Sequence, residues 1–313
     1  MIEKNDIETH THQHDRIVVA AFADSSLQHV ITRFWHETIQ SGWFDEVIIY
    51  TEKDLDAQFW KEHGEFIKAN KRGYGYWVWK PYIVNRTLEQ LNENDILLYL
   101  DIGFVINYSG EKRFRDYLET TKQYDIVCFN NGQVEKLWDK GDILDYFKVR
   151  DDENILNTEQ IMTGIFFIRK NEYTSEIISK WQDIMFNHYN LIDDSPSISD
   201  NIEGFRENRH DQSVFSLLLK QQEQDRIVQL PATEVEVDWQ YRKKGYRTYV
   251  RYWGKPFLAM RDREGRIYDQ KQDRVLYHLR YLCGISSEMT FMTINEGKGK
   301  TRNDVKHSNS NTQ

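Results

Sequence analysis

Apolar and polar positions alternate in blocks along this chain, and the blocks read in turn as strands and helices. Arg16–Phe22 (RIVVAAF) is an apolar run of strand length, as expected where both faces of a strand are covered. Asp24, Ser25 and Ser26 can cap the helix that follows, and Gly42 is a natural stop for it. Glu46–Thr51 (EVIIYT) predicts a second strand, and Asp54–His63 a short helix. Such a β-α-β-α opening predicts a parallel sheet with helices on its faces. A helix from Pro81 to Leu91 then leads into Asp95–Gly103 (DILLYLDIG). There Ile96, Leu97, Leu98 and Leu100 form a buried strand that delivers Asp101 to its carboxyl end, where open α/β sheets collect ligands. Further on, the pattern predicts a helix at Glu111–Gln123, a strand at Asp125–Phe129 and a helix over residues 135–149. Ile161–Arg169 (IMTGIFFIR) reads as a strand with a glycine inside it, followed by a helix at Glu172–Tyr189. Asp193–Glu203, with Ser195, Pro196 and Ser197, reads as a loop or lid, ahead of a helix at Ser213–Gln221 and a strand at Ile227–Leu230.

The bulk numbers narrow the class. A chain of 313 residues with 14% aromatics, including 9 Trp and 18 Tyr, can bury a sizeable core and still line a sugar or base site with rings. Mean hydropathy is −0.73, and no apolar run approaches the roughly 18 residues of a membrane span. The polar, acidic start does not resemble a signal peptide, so the expected location is cytoplasmic, or peripheral to a membrane. Two cysteines, Cys128 and Cys283, supply neither a disulfide framework nor metal-ligand spacing. A net charge of −9 argues against a general nucleic-acid binder. His10, His12 and His14 alternate in a polar terminus and read as fraying rather than as a metal site. The expected organisation is a disordered N-terminus (1–15), one α/β domain (16–285) and a disordered polar tail (286–313).

Four stretches taken in order carry a family resemblance: Gly73–Pro81 (GYGYWVWKP), Asp95–Gly103, Thr163–Ile168 (TGIFFI) and Asn208–Leu218 (NRHDQSVFSLL). Together they resemble nucleotide-sugar glycosyltransferases of the GT-A fold, among them bacterial and viral enzymes of capsule, lipopolysaccharide or surface-glycan synthesis. The resemblance covers residues 16 to 265. It implies a Rossmann-like, mostly parallel twisted sheet, a UDP- or GDP-sugar donor, a glycan acceptor and transfer of a hexose or pentose. It also implies a divalent cation, Mn²⁺ or Mg²⁺, at a strand-ending Asp-x-Asp motif, because the leaving diphosphate develops negative charge. Here the motif stands as Asp101-Ile102-Gly103, without its second aspartate, so metal-independence stays open. His278 is the late histidine that would complete the shell beside Asp101; an ordinary histidine next to Tyr277 is the alternative.

The resemblance places the nucleotide base at Phe22, Ala23 and Asp24 and at Tyr50 and Thr51, the ends of the first two strands. Lys80 would contact the donor's phosphates at a helix start; a solvated lysine is the other reading. Gly103 lets the backbone turn or a ligand approach, and Gly164 would leave room for the donor sugar. His210, Asp211 and Gln212 open a helix, with Asp211 as the catalytic carboxylate or simply as that helix's N-cap. Trp77 and Trp79 read as core before sugar platform, and Arg261 and Arg263 as phosphate or acidic-acceptor contacts. A nucleotidyltransferase or an NAD-linked enzyme would need a glycine-rich loop after the first strand, which AAFADSSL does not supply. An inactive carbohydrate-binding scaffold remains the alternative from outside enzymology.

Overall fold

The computed structural model describes residues 15–238 and 251–265. The expectations for the histidine-rich start, for His278, for Cys283 and for the tail lie outside the described residues. In chain order the elements are β1 (Ile17–Phe22), α1 (Gln28–Ser41), β2 (Glu46–Tyr50), α2 (Ala57–Ala69), α3 (Gly73–Tyr76) and α4 (Trp79–Glu89). There follow β3 (Ile96–Leu100), β4 (Val105–Ile106), α5 (Glu111–Tyr124), β5 (Ile126–Val134), α6 (Glu135–Trp138), α7 (Gly141–Phe147) and α8 (Glu153–Leu156). The order closes with β6 (Glu159–Arg169), α9 (Glu172–Asn187), α10 (Tyr189–Ile192), α11 (Asp211–Lys220), β7 (Ile227–Leu230) and β8 (Phe257–Leu258).

Among the described residues six strands form a mixed sheet in the order β2-β1-β3-β6-β5-β7. Only β6 runs antiparallel to its neighbours; the β1–β2, β1–β3 and β5–β7 pairs are parallel. Side chains of β1 alternate between two cores, as the period of a strand requires. Val18, Ala20 and Phe22 pack toward α4, α9 and α11, while Ile17, Val19 and Ala21 pack toward α1 and α5. The expected α/β fold, helices on both faces of a mostly parallel sheet, is therefore what the chain adopts.

Differences from the sequence reading have local causes. The helix expected over residues 135–149 breaks into α6 and α7 because Asp139 and Lys140, at the junction, are both buried and bonded to other elements. β5 runs five residues past Phe129, paired irregularly with β6. A separate two-stranded sheet, β4 with β8, draws residues 257–258 against the turn after β3.

α1 buries Val30, Phe34 and Thr38 at helical spacing, but the same face also buries Arg33 and Glu37. The Arg33 guanidinium donates to the carbonyls of Ile102 and Phe104 and faces Asp262, which ties α1 to the turn that follows Asp101. Glu37 accepts from Arg33 and from the Ile106 amide, both at 3.0 Å. Burial outweighs Arg33 and raises the Glu37 carboxyl from 4.5 to about 7. A raised carboxyl contributes its full stability below pH 4.5 and loses it as pH climbs to 7. Relative to Glu37→Gln, the wild type should therefore lose about 3 kcal/mol across that window, read from denaturant melts at each pH. A pH-independent difference between the two proteins would contradict this.

Candidate active site

The carboxyl ends of β1 and β3, the middle of β6 and the start of α11 meet at one cleft of about 700 Å³. At its floor lies Lys80, the second residue of α4, only 2% exposed. Its ammonium stands 3.3 Å from Asp101 Oδ1 and 3.1 Å from Asp211 Oδ2, and reaches the Thr163 carbonyl at 3.3 Å. Burial alone would lower its pKa; Asp101 and Asp211 together outweigh burial and raise it above the ordinary lysine value. Lys80 thus joins two carboxylates that come from distant parts of the chain. It is not a solvated lysine, and its charge is already paired within the protein.

Each carboxylate is also fixed from a second side. The Tyr99 hydroxyl donates to Asp101 Oδ1 at 2.7 Å. Burial, then the charge of Asp101, pushes that phenol's pKa well up, so it stays a donor. The Asp101 amide donates to the Gly164 carbonyl at 2.8 Å, and a Cβ at Gly164 would lie 3.0 Å from Asp101 Oδ2. Gly164 leaves room for the aspartate, a role the sequence reading gave to the donor sugar. Gly103 likewise admits neighbouring chain: a Cβ there would meet the Arg261 backbone at 3.3 Å, and Asp262 N–H donates to the Gly103 carbonyl.

Asp211 is not an N-cap. The cap position of α11 is His210, with φ 57° and ψ −122° and no side-chain cap bond, while Asp211 is the first helical residue. Its Oδ2 accepts from Thr163 Oγ1 at 2.7 Å and from Lys80, and among the described residues Oδ1 accepts no hydrogen bond. The His210 backbone lies where non-glycine residues are rare, a strain of the kind that clusters at functional sites. Its ring packs on Tyr76 and Trp77, and Nδ1–H donates to the Ile192 carbonyl at 2.7 Å. Burial lowers its pKa, which keeps the ring neutral near pH 7. Gln212 donates to Gln160 Oε1 at 2.7 Å, and Gln160 donates to buried Asp139 at 2.7 Å. Burial and the charge of Glu135 push the Asp139 carboxyl well above its usual range, so a buried acid anchors the chain of amides that ends in the cleft.

An aromatic wall flanks this floor. Phe22 stacks on Trp79 with centroids 3.9 Å apart, and Tyr74 and Trp77 line the same space. The GYGYW segment places them through an uncommon turn in which every residue from Gly73 to Trp77 has positive φ. The turn is held by Trp77 N–H to the Gly73 carbonyl, by Trp79 Nε1–H to that same carbonyl, and by the Tyr76 hydroxyl to Asp194.

Among the expected site residues, Phe22, Asp24, Lys80, Asp101, Gly103, Gly164, His210, Asp211 and Gln212 all line the cleft. Ala23, Tyr50 and Thr51 do not. Ala23 is fully buried, Tyr50 turns inward so that its hydroxyl meets Thr87 of α4 at 3.0 Å, and Thr51 bonds Asp54. Nor is the 193–203 loop a lid: none of its residues lines the cleft. Buried Lys140 donates to the Asp193 and Ser195 carbonyls, and Asp142 accepts from the amides of Ile198 and Ser199. That loop is pinned to the start of α7. Arg261 lines the cleft but pairs with Glu236.

For a divalent cation the described residues offer one ligand rather than a shell. Asp101 Oδ1 is taken by Tyr99 and Lys80, His278 lies outside the described residues, and among the described residues no three His, Cys, Asp or Glu side chains gather.

No family model and no curated protein sequence matches this chain. Solved structures do show likeness. One is a glycosyltransferase involved in the glycosylation of the major capsid of PBCV-1, at 11% identity, covering 78% of this chain and 93% of that one with a TM-score of 0.41. Another is mouse xyloside xylosyltransferase 1, at 9% identity, covering 78% and 96% with a TM-score of 0.41. A third is the galactosyltransferase LgtC in complex with donor and acceptor sugar analogs, at 13% identity, covering 70% and 74% with a TM-score of 0.39. Among the described residues no helix is long and apolar enough to cross a membrane.

Proposed function

We propose that the protein transfers a sugar from a nucleotide-diphosphate donor to a hydroxyl of a glycan acceptor. One observation carries this reading: a cleft of about 700 Å³ at the strand ends whose floor is the Asp101–Lys80–Asp211 bridge and whose wall is aromatic. The volume suits a nucleotide sugar, rings suit a base or a pyranose face, and fixed carboxylates suit hydroxyl and proton handling.

In the proposed reaction the base packs beside Phe22, Tyr74 and Trp77. The acceptor oxygen attacks the anomeric carbon as the bond to the diphosphate oxygen breaks. In an inverting reaction the free Oδ1 of Asp211 takes the acceptor's proton; in a retaining one the carboxylate and Gln212 lie beside the anomeric carbon and the acceptor's proton passes to the leaving diphosphate oxygen. Lys80 and Thr163 hold Asp211 in place through its other oxygen. Asp101, 40% exposed, faces the ligand with a carboxylate available to sugar hydroxyls or, with residues beyond those described, to Mn²⁺ or Mg²⁺. The UDP or GDP choice, the sugar and the acceptor are read out by experiment.

Slow donor hydrolysis without acceptor tests the assignment. The full chain should release nucleotide from at least one of a panel of UDP- and GDP-sugars. Asp211→Asn should cut that rate about 10²-fold or more when assayed well below its melting temperature, which the loss of one charge from the bridge should lower by several degrees. Equal rates in the two proteins would remove Asp211 from the chemistry. Release from no donor, with nucleotide still bound, would favour the inactive scaffold.

A further inference from the structure

A ligand with a diphosphate brings concentrated negative charge into the cleft, and the charges already there determine what can meet it. Lys80 is neutralised by two carboxylates. Arg72 pairs with Asp194 and Glu207, and Arg261 with Glu236. Arg209 is different. It lines the cleft immediately before the strained His210, and it forms no ion pair with any described residue. Its backbone amide is fixed by the Trp138 carbonyl and by Ser213 Oγ, each at 3.2 Å. Its guanidinium lies 5.4 Å from the Trp138 ring centroid, so the planar group is braced on a ring.

We propose that Arg209 is the residue that grips an oxyanion, a phosphate or diphosphate, in this cleft. A braced guanidinium presents a fork of donors that matches phosphate oxygens, and a half-buried one gains more from an anion than an exposed side chain would. Electrostatics agree: burial pulls the Arg209 pKa below the ordinary arginine value, and the charges of Arg72 and Arg261 pull the same way against Glu207 and Asp211. Folding has therefore spent hydration on this cation without giving it a directly paired carboxylate among the described residues, the pull of Glu207 and Asp211 being too weak to offset burial, and a bound anion would restore the balance. Exposed Lys71 and Arg263, also on the cleft lining, can add to the attraction at its mouth. The anion's source rests on the donor reading: it is the donor's diphosphate if that reading holds, and a phosphate of the acceptor otherwise.

The test is calorimetric binding of inorganic pyrophosphate, UDP, GDP and the free nucleosides to the full chain, to Arg209→Gln and to Arg209→Lys. Arg209→Gln should weaken pyrophosphate about ten- to hundredfold, with Arg209→Lys between it and wild type, and nucleoside binding unchanged. Melting temperatures of the variants within a few degrees of wild type show that the cleft is intact. If UDP or GDP weakens in parallel with pyrophosphate, the site serves the donor. If pyrophosphate weakens while both nucleotides are unaffected, the site stands and serves an acceptor phosphate. If pyrophosphate binds through Arg209 and no nucleotide binds more tightly than it does, the anion site stands and the donor reading fails. Wild-type protein that does not bind pyrophosphate at millimolar concentration, or equal affinity in wild type and Arg209→Gln, overturns the proposal.

Discussion

Lys80→Met should cost about 3 kcal/mol of stability and lower transfer activity about 10²-fold or more. Removing one partner of a buried pair strands the other, and here the loss strands two carboxylates that share one ammonium. Asp211 is buried, whereas Asp101 is 40% exposed, so water screens part of the penalty and the lower end of the usual range applies. A fall in melting temperature of roughly 6–12 °C would correspond to that cost. The pH dependence has a definite sign. Because the Lys80 pKa is raised, the bridge's contribution is complete below the ordinary lysine value of 10.5 and is lost only as pH rises through the higher folded value. Wild type should show no change from Lys80 between pH 6 and 9. A variant that melts with wild type and stays active would show that the bridge is incidental.

Gly75→Ala should destabilise the turn that carries the aromatic wall by about 2–4 kcal/mol. Gly75 has φ +84°, and a Cβ there would lie 2.6 Å from Ile67 Cγ1 and 3.2 Å from the Ile67 backbone. Gly254, at φ +85° with nothing within 4 Å of such a Cβ, is the matched control and should lose only the conformational part, about 1 kcal/mol. The excess in Gly75→Ala then measures the packing of the turn on α2. Because the turn carries Tyr74 and Trp77, KM for the donor should rise along with the loss of stability. Equal melting temperatures for the two variants would mean that the turn relaxes without cost.

What the sequence made legible follows from how local each signal is. The apolar run of β1 and the one ending at Asp101 are properties of a few adjacent residues, and both strands form where the pattern puts them. Asp211 was visible as a carboxylate at a helix start, but its two readings differ only in what lies opposite, and Lys80 and Thr163 are distant in sequence. The same limit explains Tyr50. Strand ends can be located from the pattern, yet whether a side chain faces the cleft or α4 depends on the register of the sheet. Arg33 and Glu37 gave a usable signal, polar residues within the apolar stripe of α1, that marks their bond to the turn after Asp101. The 193–203 loop looked like a lid from composition alone. Nothing in its own residues announced that Lys140 and Asp142 would hold it to α7.

The decisive measurement is the melting temperature of the full chain with UDP, GDP and their sugar esters, each with and without Mn²⁺. At a hundredfold excess over Kd, a ligand of the folded state adds about 2.7 kcal/mol, which corresponds to a rise of roughly 5 °C or more. A sugar transferase built on the Asp101–Lys80–Asp211 floor should show that rise with at least one nucleotide. A rise seen only with Mn²⁺ would make Asp101 a metal ligand, and a rise without it would leave the diphosphate to Arg209. No rise with any nucleotide, from a protein that melts cooperatively, would contradict a nucleotide-sugar site in this cleft.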